Sequence, residues 1–174
     1  KKFLRHSEGI FAEQRLPDLA IGDMDSLSES MKRRYADIIV KVDEQEHNEQ
    51  TKAFRWAIEN IDDISDIHIL GATGEREDHT IGNISLLMEY ARMYDLEGMG
   101  INVEMVSDNS TIFAVTDSFD MDCGTGRKIS IMTPDNRLRI KSEGLEWPLD
   151  EVVFDNWWKA TLNRATQDRV RLEF

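Results

Sequence analysis

Two aspartates two positions apart, Asp23 and Asp25, lie in the segment Gly22-Asp23-Met24-Asp25-Ser26, directly after the apolar run Leu19-Ala20-Ile21. Carboxylates at this spacing reach one hard cation when the backbone turns between them. The glycine permits such a bend, or a close approach to a ligand. The plainer alternative is a polar turn that caps the next helix, and a lone D-x-D does not separate the two. A second segment, Gly71-Ala72-Thr73-Gly74-Glu75-Arg76-Glu77-Asp78-His79, also sits between an apolar run and a helical pattern. Two glycines, a hydroxyl and a helix start suit an anion. Arg76 offers a planar fork for phosphate. Asp78 is either a helix N-cap or a metal ligand, and His79 reads as a surface or first-turn histidine. The Gly-Lys-Ser/Thr ending of a P-loop is missing. A third segment, Asp43-Glu44-Gln45-Glu46-His47-Asn48-Glu49, is acidic and enters a helix, where early carboxylates suit the dipole.

Alternating elements position these loops. Leu19–Ile21, Asp37–Val42, Ile67–Leu70 and Ile101–Val106 read as strands. Between them, Ser28–Tyr35 reads as a short helix with Ser28 as N-cap. Ala53, Phe54, Ala57, Ile58 and Ile61 form the apolar face of a second helix, and Ile81, Ile84, Leu87, Met88 and Ala91 that of a third. The alternation predicts βαβ units and a mostly parallel sheet covered by helices. Three successive strand ends then deliver acidic or glycine-rich loops to one sheet edge, where open α/β sheets bind ligands.

The pattern changes near Ser110. Thr111–Val115, Arg127–Thr133, Leu138–Ile140, Leu145–Leu149, Val152–Phe154 and Arg169–Phe174 read as short strands, several of them separated by turn signals such as Gly124-Thr125-Gly126. The reading is α/β: residues 1–112 as a mostly parallel α/β/α sheet domain, then 113–174 as a smaller antiparallel β-sandwich. Trp147, in Gly144-Leu145-Glu146-Trp147-Pro148-Leu149, is suited to stacking on a flat heterocycle or to a core.

Composition narrows the partners. The 174 residues carry a formal charge of −13, which argues against nucleic acid. A small phosphate ligand remains compatible, since a divalent cation bridges carboxylates to phosphates. No apolar run is long enough for a membrane span, and no secretory leader opens the sequence. Cys123 is the single cysteine, which fits a reducing, cytoplasmic compartment.

In this order, the elements resemble the thiamine pyrophosphokinase family. Its G-D-x-D-S loop matches Gly22 to Ser26, preceded by Leu16-Pro17-Asp18-Leu19. Its G-x-x-G-x-R-x-D-H segment matches Gly71 to His79, followed by Asn83 and Leu86-Leu87. Its G-L-x-W segment matches Gly144 to Trp147. The resemblance implies transfer of pyrophosphate from ATP to the thiamine hydroxyl, giving thiamine diphosphate and AMP. It implies Mg²⁺ on Asp23 and Asp25; Glu46 and Glu49 are the further metal candidates, one or the other completing the shell or accepting the hydroxyl proton. Asp23, Asp25, Glu49 and Asp78 are the implied catalytic residues. Asp23, Ser26, Thr73, Gly74, Arg76, Asp78 and His79 are implied to contact ATP, and Gln45, Trp147, Thr161 and Asn163 to contact thiamine. A homodimer with its active site at the subunit interface is also implied.

Several positions depart from the family pattern. Asn48-Glu49 stands where a T-D pair is usual, and Glu46 replaces an aspartate, adding one methylene of reach. Leu162-Asn163 stands for a family S-N element, and losing that hydroxyl is expected to weaken substrate recognition. An early D-G-G-A-N-like segment is not visible in residues 1–18, so residues are expected to be missing near the start and after Phe174. Two other readings accompany the first: the same fold acting on another alcohol such as a pterin derivative, and a non-catalytic thiamine- or nucleotide-binding protein.

Overall fold

The computed structural model describes residues 15–174. The chain divides into two compact units, Lys1–Ile112 and Phe113–Phe174.

In the first unit, β1 (Ala20–Gly22) pairs in parallel with β2 (Ile39–Lys41). Between them runs α1 (Glu29–Arg34), whose N-cap Ser28 accepts the Met31 N–H at 3.4 Å, and a 3-10 turn over Ala36–Ile38. The turn consumes the first part of the β-branched run, so β2 begins later than its sequence suggests. The helix α2 (Glu49–Asn60) follows, then β3 (Asp66–Leu70), α3 (Glu77–Met93) and β4 (Asn102–Val106). β3 and β4 pair in parallel, and the short β5 (Thr111–Ile112) adds antiparallel to β4. The parallel strands form two hydrogen-bonded ladders, β1–β2 and β3–β4–β5, rather than one.

The helices α2 and α3 meet through aromatic rings. Phe54 stacks on Tyr90 with centroids 4.0 Å apart, and Tyr94 packs edge-on to Phe54 at 5.6 Å. The inward face of α2 differs from the apolar stripe expected for it. Thr51, Lys52 and Phe54 are buried, whereas Ala53 and Ile61 are exposed. On α3, Leu87 and Tyr90 are buried and Ile81 is exposed. The reason is polar: Thr51 Oγ1 and the Tyr90 hydroxyl lie 2.9 Å apart in a buried hydrogen bond, which places a hydroxyl pair where the periodicity expects methyl groups.

The second unit is antiparallel. β6 (Phe119–Asp122) and β8 (Lys141–Glu143) flank β10 (Arg169–Glu173), and β7 (Lys128–Ile131) pairs with β9 (Ala160–Arg164). Three apolar runs expected as strands, Leu138–Ile140, Leu145–Leu149 and Val152–Phe154, are irregular apart from a single bridge between Leu145 and Ala165. Their side chains fill the core instead: Ile140, Leu145, Leu149 and Phe154 are buried beside Val170 and Leu172. β6, β8 and β9 come from more polar segments. Hydrophobicity there marks burial, not strand conformation.

Candidate active site

Backbone geometry shapes the first loop. Gly22 ends β1 at φ +150°, and its carbonyl accepts the Val42 N–H at 2.9 Å, which ties the loop to the end of β2. A Cβ at Gly22 would overlap the Glu49 carboxylate, so the glycine leaves room for that side chain. Met24 is buried with φ +64°, and its carbonyl accepts the Leu27 N–H at 3.1 Å. The turn folds Asp23 back, so that its Oδ1 accepts the Asp25 N–H at 3.0 Å. Ser26 is exposed.

Two lysines meet these carboxylates, and neither stood out in the sequence. Lys41 Nζ lies 2.6 Å from Asp43 Oδ1. That hydrogen bond, with the charges of Asp43, Asp25 and Asp23, holds the Lys41 ammonium above its ordinary pKa. Lys52 Nζ lies 3.0 Å from Glu49 Oε1, with the lysine side chain 2% exposed. The Glu49 hydrogen bond raises the Lys52 pKa most, and the fields of Glu49, Asp23 and Glu44 add to it. Asp23 therefore stands in the fields of both ammonium groups. Lys52 follows Glu49 by three residues, a helical pairing distance. That spacing was the available signal.

The rest of the β2–α2 loop is self-capped. Glu44 Oε2 accepts the Glu46 and His47 N–H groups at 2.8 and 3.1 Å. Gln45 and Glu46 are exposed. Asn48 is the N-cap of α2, its Oδ1 accepting the Thr51 N–H at 2.9 Å.

In the β3–α3 loop, Gly71 and Gly74 take positive φ, +68° and +90°. Gly74 N–H donates to Thr80 Oγ1 at 3.4 Å. Asp78 is not the N-cap of α3. Arg76 holds that position without a side-chain cap, and its guanidinium grips Asp78, Nε donating to Oδ1 at 3.0 Å and Nη2 to Oδ2. This pairing holds the Asp78 carboxyl below its ordinary pKa. The fork expected to face phosphate is thus directed at a carboxylate two residues on. Thr73 is half-buried, and His79 is exposed.

The expected four-carboxylate shell does not assemble. Among the described residues, no three His, Cys, Asp or Glu side chains close on a common point. Glu46 is exposed, and Glu49 is held by Lys52. The donors are nonetheless hard oxygens, and Mg²⁺ is commonly held by one or two carboxylates plus substrate phosphates. Asp23 and Asp25 fit that mode of binding and do not form an all-protein cage.

In the second unit, Trp147 is 53% exposed. Asn163 is buried beneath it. Its Nδ2 donates to the Trp147 carbonyl at 2.7 Å, and its Oδ1 accepts the Trp147 and Arg164 N–H groups at 3.2 and 2.8 Å. The amide is therefore committed to the main chain around the tryptophan. Thr161 is half-buried, its N–H donating to the Trp158 carbonyl at 3.2 Å.

Residues 7–97 match the family model described as thiamin pyrophosphokinase, catalytic domain, and residues 111–174 match thiamin pyrophosphokinase, substrate-binding domain. The chain belongs to the thiamin pyrophosphokinase family. Thiamine pyrophosphokinase 1 of Oryza sativa subsp. japonica is 26% identical over 171 residues, covering 90% of this chain and 62% of that protein. Thiamine pyrophosphokinase of Bacillus subtilis is 40% identical over 76 residues, 41% of this chain and 35% of that protein. This chain thus spans less than two thirds of either relative. The crystal structure of thiamine pyrophosphokinase from Bacillus subtilis shares the fold, with a TM-score of 0.68 at 22% identity over 91% of this chain and 74% of that one. The two family models meet the two units in chain order, the catalytic model on the carboxylate and glycine loops and the substrate-binding model on Trp147.

Proposed function

We propose that this chain is a thiamine diphosphokinase, which transfers a pyrophosphoryl group from ATP to the thiamine hydroxyl and releases AMP. The observation that carries the reading is the match of both family models across a chain that keeps Asp23, Asp25, the glycine loop and an exposed Trp147.

Asp23 and Asp25 would hold Mg²⁺ through carboxylate oxygens. When bound, the ion would neutralise charge on the triphosphate. The glycine loop with Thr73, Gly74 and Arg76 binds the polyphosphate, aided by Ser26, Asp78 and His79. Trp147 stacks on the flat thiamine rings, with Asn163 fixing its backbone and Gln45 and Thr161 at the same ligand. The hydroxyl oxygen attacks the β-phosphorus as the bond to the α-phosphate oxygen breaks. Glu46 or Glu49 accepts the hydroxyl proton. The enzyme works as a homodimer with its site between subunits, a reading supported by the exposure of Trp147, Trp157 and Trp158 at 53%, 51% and 52%. It is cytoplasmic, in keeping with its single cysteine. No helix among the described residues is long and apolar enough to cross a membrane.

The test is incubation with ATP, Mg²⁺ and thiamine, followed by quantification of thiamine diphosphate and AMP. Stoichiometric formation of both is expected. Turnover only with a different alcohol, or thiamine binding without turnover, would overturn the reading. An Asp23→Asn protein with undiminished Mg²⁺-dependent AMP formation would remove Asp23 from the metal site.

A further inference from the structure

The acidic β2–α2 loop, which ends at Asn48, and the glycine loop follow different strands, yet one side chain bonds to both. Asn83, on the second turn of α3, donates from Nδ2 to the Ala72 carbonyl at 2.9 Å, inside the glycine loop. Its Oδ1 accepts from Asn48 Nδ2 at 3.0 Å, at the cap that starts α2 immediately before Glu49. Its main-chain carbonyl accepts from Gln50 Nε2 at 3.3 Å. We propose that Asn83 is a positioning residue that sets the spacing between the carboxylate cluster and the glycine loop, and so the register in which a metal-bound polyphosphate spans them.

The argument is geometric. The β2–α2 loop and the glycine loop each end in a helix N-terminus, and the Glu49 carboxylate at the start of α2 lies against Gly22 of the Asp23–Asp25 loop, so the separation of the two helix starts bears on that of the metal carboxylates from the glycine loop. Aromatic packing and the Tyr90 hydroxyl hold α2 to α3 further along α3, away from the glycine loop. The Asn83 amide ties the two helix starts directly, because its donor and acceptor ends bind different loops at once. The Tyr90 hydroxyl provides an internal control. It joins the same two helices through Thr51 Oγ1 at 2.9 Å and Gln50 Nε2 at 3.4 Å, but bonds to neither loop.

This inference rests on the diphosphokinase reading for its ligand, and the experiment separates the two. Affinity for Mg²⁺ with a non-hydrolysable ATP analogue is measured by calorimetry for wild type, Asn83→Ala and Tyr90→Phe, alongside thermal unfolding and thiamine turnover. Asn83→Ala is expected to weaken nucleotide binding about tenfold, the effect of losing both bonds of the bridge, and to raise KM for ATP while leaving KM for thiamine within about twofold. Tyr90→Phe is expected to lower thermal stability and leave nucleotide affinity unchanged. Asn83→Ala binding nucleotide as wild type does, or Tyr90→Phe weakening it equally, overturns the positioning role. A wild type that binds nucleotide without making thiamine diphosphate sinks only the functional reading. A wild type that binds no nucleotide overturns both.

Discussion

The Lys52 ammonium lies 3.0 Å from Glu49 Oε1 with the lysine side chain 2% exposed, which places a fixed positive charge inside a cluster of carboxylates. Only the lysine side of the pair is buried; the Glu49 side chain is 54% exposed, so water compensates it in part when the lysine charge is lost. Lys52→Met keeps the aliphatic stem and removes the charge, leaving Glu49, Asp23 and Glu44 to repel one another. The variant is expected to melt about 2–4 °C lower at pH 7, the shift for about 1 kcal/mol in a chain of this size. Adding Glu49→Gln should recover part of that loss, since the pair's two members couple. Circular dichroism melts of the four proteins in the cycle check this, and additive losses would mean that the pair does not interact. The raised Lys52 pKa also has a pH consequence. Its contribution is present below about pH 10 and is lost as pH rises through the folded value.

Gly22 and Glu49 share one space. At φ +150° an L side chain is strained in any case, and a Cβ there would overlap the glutamate carboxylate. Gly22→Ala is expected to destabilise by about 1–3 kcal/mol. Gly22→Ala with Glu49→Ala should lose less than the sum of the single variants, because the second change removes the overlapping atoms and leaves only the backbone strain. Urea unfolding measures both. A double variant as unstable as the sum would place the Glu49 side chain elsewhere.

The order of strands and helices in the first unit was legible because β-branched runs and capped amphipathic stretches alternate there. Ser28 caps α1 as its sequence position suggests, its hydroxyl oxygen accepting the Met31 N–H. The second unit was less legible. Leu145, Leu149 and Phe154 are hydrophobic because they are buried, and local periodicity does not distinguish a buried irregular segment from a buried strand. In the site, loops could be assigned but pairings could not. Arg76 was read as a fork for phosphate, and its pairing with Asp78 was not foreseen; Asp78 was read as a cap or a ligand, and Arg76 holds the cap position instead. The partner of a long charged side chain is chosen by rotamer and by distance in space. Lys52 shows the same limit, since a lysine in an amphipathic pattern reads as solvent-facing.

The Arg76–Asp78 pair predicts a small acid-dependent term. The Asp78 pKa is lowered chiefly by the Arg76 hydrogen bond. A lowered folded value means stability that is present above the ordinary carboxyl range, about pH 4, and lost as pH falls through the folded value. The difference in urea midpoint between wild type and Arg76→Ala is therefore expected to be small at pH 7, since both side chains are more than half exposed, and to shrink as pH falls through the folded value. A gap that widens on acidification would contradict the pairing.

Leu162 stands at a β-bulge in an unfavourable backbone conformation. Ile129 pairs with Asn163 and Ile131 with Ala160, so Thr161 and Leu162 together oppose Ser130. Leu162 takes φ +61°, and its N–H donates to Ser130 Oγ at 3.1 Å. A leucine in this left-handed region costs about 1–2 kcal/mol relative to the right-handed one, whereas asparagine tolerates it. The leucine gains little in return, because it is 82% exposed. Leu162→Asn is therefore expected to raise Tm by about 2–4 °C, with the Ser130 bond retained. Ser130→Ala in the Leu162→Asn background should then remove part of that gain, because the bulge loses the hydroxyl that holds its N–H. Differential scanning calorimetry reads both steps, and a lower Tm for Leu162→Asn would show that the leucine side chain is buried against a partner after all.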